Sequence, residues 1–218
     1  MATSNLRYLE LLSKSFPTAA KASAEIINLK AILNLPKGTE FFCSDIHGEA
    51  EAFSHILRNA SGSIRMKVDE VFGDELTDAQ KRALCTLIYY PQEKLAVELG
   101  RCADENEWFY ATLPQLVEVC RRAAQKYTRS KVRRAMPADF AYIIEELMSE
   151  STAGPDKEAY YQAILRAVVE TGRAREFVVA MAELIQRLSI DQLHIVGDIY
   201  DRGPAPHTIM DALAGYHA

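Results

Sequence analysis

Two short segments of the sequence have the composition of buried β-strands, and each ends in a loop that carries aspartate and glycine. The first spans residues 40–44, and the second spans residues 192–196, which are followed by Gly197 and Asp198. Apolar runs of this length are typical of central strands in a parallel sheet. Because the carboxyl ends of parallel strands meet at one edge of a sheet, we expect the two loops to lie side by side.

The long segment between these strands has a helical pattern. Its apolar residues recur at three- and four-residue steps, and Thr77 with Gln80 predicts a capping box at the start of one helix. Pro114 predicts the first turn of another helix. The chain is therefore predicted to be a mainly helical α/β protein in which a large helical insertion interrupts a sheet core. The predicted organisation is a core that begins in residues 1–60, a helical insertion over 61–189, and a core that resumes in 190–218.

Composition and charge exclude several classes of protein. The chain has 218 residues, 49% of them hydrophobic, which is enough for a real core and excludes disordered and fibrous classes. Its net charge of −5 argues against a general nucleic-acid binder. No window approaches the ~18 apolar residues of a membrane span, and no secretory signal is recognisable at the start. Four scattered cysteines without close pairs indicate reduced thiols, so a cytoplasmic location is expected.

One basic run departs from this acidic balance. Residues 121–134 contain seven Lys or Arg side chains and no acid. Such a run can hold a nucleic acid or an anionic effector, but it has few interleaved aromatic residues. A solvated helix face or a subunit contact is the preferred interpretation, and no nucleic-acid partner is expected.

The loop after the first strand carries Asp45 and His47 two residues apart. A carboxylate and an imidazole that leave one loop toward the same point suit Mn, Fe or Zn. Gly48 allows the backbone to turn into the next helix. An Asp-x-His triplet is also common by chance, so an ordinary surface loop remains an alternative.

The loop after the second strand carries Asp198, Asp201, Arg202 and Gly203. An aspartate in the position of Asp198 can bridge two cations with its two oxygens. The planar fork of Arg202 can hold phosphate oxygens bidentately. The alternative is a solvated Asp-Arg pair in a surface turn.

Together the two loops resemble the metal-site motifs of the calcineurin-like metallophosphoesterase superfamily, a strand with DxHG and a strand with GDxxDRG. Their wide separation is unusual for that superfamily and indicates a long insertion. The segments FFCSDIHGEAEAFSHILRNASGSI, FGDELTDAQKRALCTLIYYPQEKL and LHIVGDIYDRGPAPHTIMDAL resemble class III fructose-1,6-bisphosphatase, the Firmicutes-type enzyme. The resemblance covers essentially the whole chain and implies an incomplete metallophosphoesterase sheet core with a helical insertion.

The resemblance also implies roles for individual residues. Asp45 and His47 match the ligands of the first metal, and Asp198 matches the aspartate that bridges both metals. Asp201 matches the acid that orients a catalytic histidine, and Arg202 matches the phosphate-binding arginine. The implied reaction is the manganese-dependent hydrolysis of the 1-phosphate of fructose 1,6-bisphosphate, a sugar bisphosphate, to fructose 6-phosphate in gluconeogenesis.

The chain departs from the superfamily in one respect. It contains no Gly-Asn-His motif, which supplies a second-metal ligand and the catalytic histidine. The chain therefore resembles the N-terminal part of the family, in which only the first metal site is complete, and we expect it to be inactive alone. Another metallophosphoesterase acting on phosphoproteins or dinucleotides, and a non-catalytic helical interaction fragment, remain alternatives. A homo-oligomeric state also stays open.

Overall fold

The computed structural model describes residues 2–149 and 154–216, and the chain divides into two compact units, Met1–Lys37 and Gly38–Ala218. The first unit contains helices α1 (Ala2–Ser15) and α2 (Ala19–Ile32). The hydroxyl of Thr18 accepts a hydrogen bond from the backbone N–H of Lys21 and so caps α2. None of the side chains described for residues 5–37 is buried.

The second unit contains both strands. Strand β1 is Glu40–Ser44, as predicted, and strand β2 is Gln192–Gly197. Between them, the described residues form only α-helices and one short 3₁₀ segment, Ala138–Phe140. The helices are α3 (Ala50–Asn59), α4 (Ser63–Phe72), α5 (Asp78–Tyr89), α6 (Pro91–Leu99), α7 (Glu105–Ala124), α8 (Arg129–Ala135), α9 (Ala141–Met148), α10 (Gly154–Glu170) and α11 (Ala174–Arg187), and α12 (Pro206–Ala214) follows β2.

The mainly helical α/β composition is thereby confirmed. The sequence-based division at residues 60 and 189 stays a prediction. No helix in the described part of the chain combines the length and the apolar composition that crossing a bilayer requires.

The two strands pair in parallel, as their sequences predict. Glu40 lies opposite Gln192, and the register continues to Cys43 before it shifts, so that Ser44 lies opposite Gly197. A parallel pair needs a long crossover connection, and the helices α3 to α11 supply it here. The pairing places the loop after β1 directly beside the loop after β2.

The two faces of this sheet differ in their exposure. Cys43, Leu193 and Ile195 pack on a small core that includes Ile46 and Phe53. On the opposite face, the ring of Phe42 stacks on that of His194 with centroids 4.4 Å apart. The side chains of Phe42 and Val196 on that face are 62% and 71% exposed. Two large apolar side chains on this face are therefore largely exposed, beside the polar side chains of Glu40 and His194.

The larger core lies among the helices of the insertion. Helices α7 and α11 pack against each other, and α5 and α10 pack on this pair. Eleven of the large side chains described for this core are fully buried: Ile64, Ile88, Leu113, Leu116, Ile144, Leu147, Phe177, Met181, Leu184, Ile185 and Leu188. At roughly 2 kcal/mol for each such side chain, this burial is a main source of stability for the second unit.

Two helix starts test the local predictions. The capping box is confirmed, because the Thr77 hydroxyl accepts from the Gln80 backbone N–H and the Gln80 side chain accepts from the Thr77 N–H. The prediction for Pro114 was wrong. Helix α7 begins nine residues earlier, at Glu105, where the Asp104 side chain accepts from the backbone N–H groups of two following residues. Pro114 lies inside this helix.

Internal ion pairs account for much of the basic run. Arg122 pairs with Glu70 at 2.6 Å, and Arg133 pairs with Glu145. Lys126 and Lys131, also in the run, both pair with Asp191. Several charges of the run are therefore paired with acids of the second unit, and a solvated helix face or a subunit contact stays a prediction.

Asp191 connects the start of the sheet to the helices. Its carboxylate accepts hydrogen bonds from Lys131 at 2.6 Å, from Lys126 at 3.0 Å and from the backbone N–H of Thr39 at 2.5 Å. Its side chain is only 9% exposed. Burial alone raises the pKa of Asp191, but the hydrogen bonds outweigh burial and lower the pKa to about 2. Gly38 completes the contact, because a Cβ there would lie 2.6 Å from the Asp191 carboxyl carbon.

Candidate metal centre

The two loops that follow the strands are joined by backbone hydrogen bonds. The N–H of His47 donates to the carbonyl of Asp198, and the N–H of Gly48 donates to the carbonyl of Ile199, both at 2.8 Å. Farther along, the N–H of Ala205 donates to the carbonyl of Gly48 at 3.1 Å. Backbone pairing therefore continues past the strand ends and fixes the loops relative to each other.

The loops also make a close contact between two glycines. A Cβ built on Gly203 would lie 2.0 Å from the carbonyl oxygen of His47 and 2.5 Å from the carbonyl carbon of Gly48. Gly48 itself has a φ of +73°. Since no side chain fits at Gly203 without moving the backbone, this contact sets the distance between the loops.

Gly203→Ala is expected to lower the free energy of unfolding by about 1–3 kcal/mol, the usual cost of forcing extra volume into a packed contact. The metal affinity of these loops, which stays a prediction, should fall as well, because the loops must separate to admit the methyl group. Urea unfolding and a manganese titration measure the two effects.

Gly197→Ala is the matched control for this substitution. Nothing lies within 4 Å of a Cβ at Gly197, so its free energy of unfolding should change by less than about 1 kcal/mol. Equal destabilisation by the two substitutions would contradict the proposed contact between the loops.

Several residues in these loops adopt left-handed backbone conformations. The φ angles are +56° at Asp45, +48° at His47, +50° at Asp198 and +71° at Arg202. This region is uncommon for residues other than glycine, although aspartate and histidine enter it more readily than most. Such conformations concentrate at functional sites, where the surrounding structure holds them in place.

Asp45, His47 and Asp198 form a compact group at the meeting point of the loops. One ligand atom from each side chain lies within 4.8 Å of the others. Ligands on opposite sides of a metal ion are separated by about 4.4 Å when each metal–ligand bond is about 2.2 Å. The group therefore has the composition and nearly the spacing of a metal site. It brings together the three residues named from the sequence, while their role as ligands stays a prediction.

Asp201 and Arg202 lie beside this group. The Asp201 carboxylate is 2.9 Å from Nδ1 of His47 and 3.2 Å from Nε of Arg202. The hydrogen bond with His47 is the main cause that lowers the pKa of Asp201 below its ordinary value. The Arg202 side chain is 77% exposed, which leaves it accessible to an anionic ligand.

The structure adds contacts that the sequence analysis missed. The Ser44 hydroxyl donates to the Asp45 carboxylate at 2.5 Å, although its position before the aspartate carried no distinctive signal. The contact between Gly48 and Gly203 was missed as well. The only sequence signal for it was a glycine in each of the two loop motifs.

Comparison with known proteins shows which family the chain resembles. Residues 7–218 match the family model described as Firmicute fructose-1,6-bisphosphatase. A Bacteroides thetaiotaomicron protein named fructose-1,6-bisphosphatase class 3 is 59% identical over 213 residues, which cover 98% of this chain and 32% of that protein. Proteins of the same name from Porphyromonas gingivalis (strain W83) and Alkaliphilus metalliredigens are also 59% identical, over 100% and 99% of this chain and 33% and 32% of their own length.

No solved structure matches the chain. The chain spans about a third of the length of these relatives. With a family model over nearly all of its residues and relatives of this identity, the chain belongs to the Firmicute fructose-1,6-bisphosphatase family.

Proposed function

We propose that this chain supplies the first metal site and a phosphate-binding arginine of a manganese-dependent fructose-1,6-bisphosphatase. The reaction is the hydrolysis of the 1-phosphate of fructose 1,6-bisphosphate to fructose 6-phosphate and phosphate, a cytoplasmic step of gluconeogenesis. The observation that carries the proposal is the group of Asp45, His47 and Asp198, within 4.8 Å of one another, in a chain of this family.

The donor set suits manganese. Two carboxylates and one imidazole are hard to borderline ligands, which this ion accepts readily. A bound ion supplies a Lewis acid for the phosphoryl group and lowers the pKa of a coordinated water. In this proposal Asp45 and His47 would hold the first ion, and Asp198 would contribute to it and to a second cation.

Arg202 is the proposed contact to the phosphate. Its Nε is paired with Asp201, and its exposed guanidinium retains terminal nitrogens that can donate to phosphate oxygens. Lysine cannot reproduce this planar, two-point contact. Charge that develops on the transferred group would be stabilised by the same contact.

We also propose that β1 and β2 belong to a larger metallophosphoesterase sheet. Parallel sheets are normally covered on both faces, and a two-stranded sheet is marginal in water. Here Phe42 and Val196 are largely exposed on one face. In a longer polypeptide, of the length of the relatives, further strands and a covering layer would complete the sheet and bury these side chains.

The test is a chimera in which this chain replaces the matching part of the Bacteroides thetaiotaomicron relative. We expect manganese-dependent release of phosphate from fructose 1,6-bisphosphate by the chimera. The 218-residue chain alone should show negligible turnover and at most one weak manganese site, because Asp198 is its only proposed ligand for a second cation.

Assays with other substrates distinguish a fructose-1,6-bisphosphatase from a metallophosphoesterase that acts on phosphoproteins or dinucleotides. A chimera that hydrolyses a phosphopeptide or a dinucleotide but leaves fructose 1,6-bisphosphate intact would overturn the substrate assignment. Absence of manganese binding by both the chain and the chimera would overturn the metal assignment.

A further inference from the structure

The side chains of Asp201 and His47 form a contact between the two loops. Asp201 lies in the loop after β2, and His47 lies in the loop after β1, 154 positions away. Oδ1 of Asp201 is 2.9 Å from Nδ1 of His47. The His47 side chain is 22% exposed, so this hydrogen bond is partly shielded from water.

The two nitrogens of His47 face different partners. Nδ1 meets Asp201, whereas Nε2 lies 3.6 Å from a carboxylate oxygen of Asp45, on the side of the candidate metal ligands. A carboxylate accepts only from a nitrogen that carries a proton. The contact therefore selects the tautomer with hydrogen on Nδ1 and leaves the lone pair of Nε2 available for a cation.

Asp201 is itself held in place by a second contact. Its Oδ2 lies 3.2 Å from Nε of Arg202, so that each carboxylate oxygen has a partner. The family resemblance assigns Asp201 to a catalytic histidine outside this chain. In this structure its two carboxylate oxygens contact His47 and Arg202.

We propose that Asp201 is a positioning residue for the first metal site, holding His47 in the tautomer and ring orientation that bind the ion. The proposal rests on the proposed function, since it assumes that His47 is a metal ligand. Outer-shell carboxylates of this kind commonly change metal affinity by about 10–100-fold. Through Arg202, the same carboxylate also links the metal site to the proposed phosphate contact.

The first experiment measures the tautomer without any metal. NMR of isotope-labelled histidine ring nitrogens in the 218-residue chain, at pH about 8, distinguishes a protonated Nδ1 from a protonated Nε2. The His47 signals are assigned by their loss in His47→Gln. We expect hydrogen on Nδ1 in the unsubstituted chain and a mixture of tautomers in Asp201→Ala.

The second experiment measures manganese affinity by titration of the same chain. We expect Asp201→Ala to bind manganese about 10–100-fold more weakly and Asp201→Asn, which keeps a neutral acceptor of the same shape, to lose less. Asp211→Asn, an exposed position on α12, is the matched control and should bind like the unsubstituted chain. If Asp201→Ala does not fold, the tautomer and the manganese affinity are both measured on Asp201→Asn.

The outcomes separate this inference from the proposed function. An unchanged tautomer together with unchanged manganese affinity in the Asp201 variants would overturn the positioning role. If neither the unsubstituted chain nor the chimera binds manganese, the metal assignment fails, while the tautomer measurement still decides whether Asp201 orients His47. A purely structural role would lower the melting temperature of Asp201→Ala without changing either measurement.

Discussion

Asp198→Asn is expected to weaken manganese binding by more than about 100-fold and to lower fructose-1,6-bisphosphatase activity of the chimera by about 10³-fold or more. Substitution of a residue that only contacts a metal ligand typically lowers metal affinity by about 10–100-fold. Asp198 is proposed as a direct ligand of both ions, so its substitution should have a larger effect. The substitution removes one oxygen and the negative charge. Loss of one group that stabilises transition-state charge commonly costs 10²–10³ in rate, and loss of a shared ligand should cost at least as much.

Asparagine is the appropriate replacement because of the backbone at this position. Asp198 has a φ of +50°, and asparagine enters the left-handed region more readily than alanine. The variant should therefore unfold at nearly the same denaturant concentration as the unsubstituted protein. A manganese titration and a phosphate-release assay test the prediction, with Asp211→Asn as the control for removal of one charge.

Asp198→Ala should behave as the more severe variant, because it removes both oxygens. Retention of manganese-dependent activity by Asp198→Asn and Asp198→Ala would show that Asp198 does not bind the ions. The site would then have to be sought at other residues of the longer polypeptide.

The strands could be predicted closely from the sequence because their signal is local. The bounds of β1 agree with the prediction, and β2 is longer by one residue, Gly197. Each strand is a short apolar run that stops at glycine or aspartate, and the rule that parallel strands share an edge then places the two loops together. The grouping of Asp45, His47 and Asp198 follows from that placement.

The start of α7 shows where a local rule fails. Proline is favoured in the first turn of a helix, but Pro114 lies well inside α7. Phe109 and Leu113, which precede it in the helix, are buried, and tertiary packing supplies most of the stability of such a helix, so one missing backbone hydrogen bond is tolerated. The better local signal was Asp104, whose side chain caps the helix.

The details of the candidate site depend on contacts between distant segments. The sequence contains Gly48 and Gly203, but only the folded chain shows that their backbones touch. Likewise, the pairing of Asp201 with His47 joins loops that are far apart in the sequence. No periodicity or motif spacing reports such a contact, so neither contact could be predicted from the sequence.

Asp191→Asn is expected to lower the free energy of unfolding by about 3 kcal/mol at neutral pH. This is the usual cost of removing one member of a largely buried ion pair, because its partners then lose their counter-charge. Asparagine can still accept from the backbone N–H of Thr39, so the substitution chiefly removes the ion pairs with Lys126 and Lys131. Asp74→Asn, at an exposed position, is the control and should change the free energy of unfolding by less than about 0.5 kcal/mol.

The effect of Asp191 should depend on pH in a defined direction. The folded pKa of Asp191 is lowered to about 2 from an ordinary 3.8, so its contribution to stability is complete above 3.8. It is lost as pH falls toward 2, because the unfolded chain takes up the proton first. Denaturant unfolding of the unsubstituted chain and Asp191→Asn should therefore give free energies that converge between pH 3.8 and about 2. A difference that stays constant across this range would show that the charge of Asp191 does not stabilise the junction between the sheet and the helices.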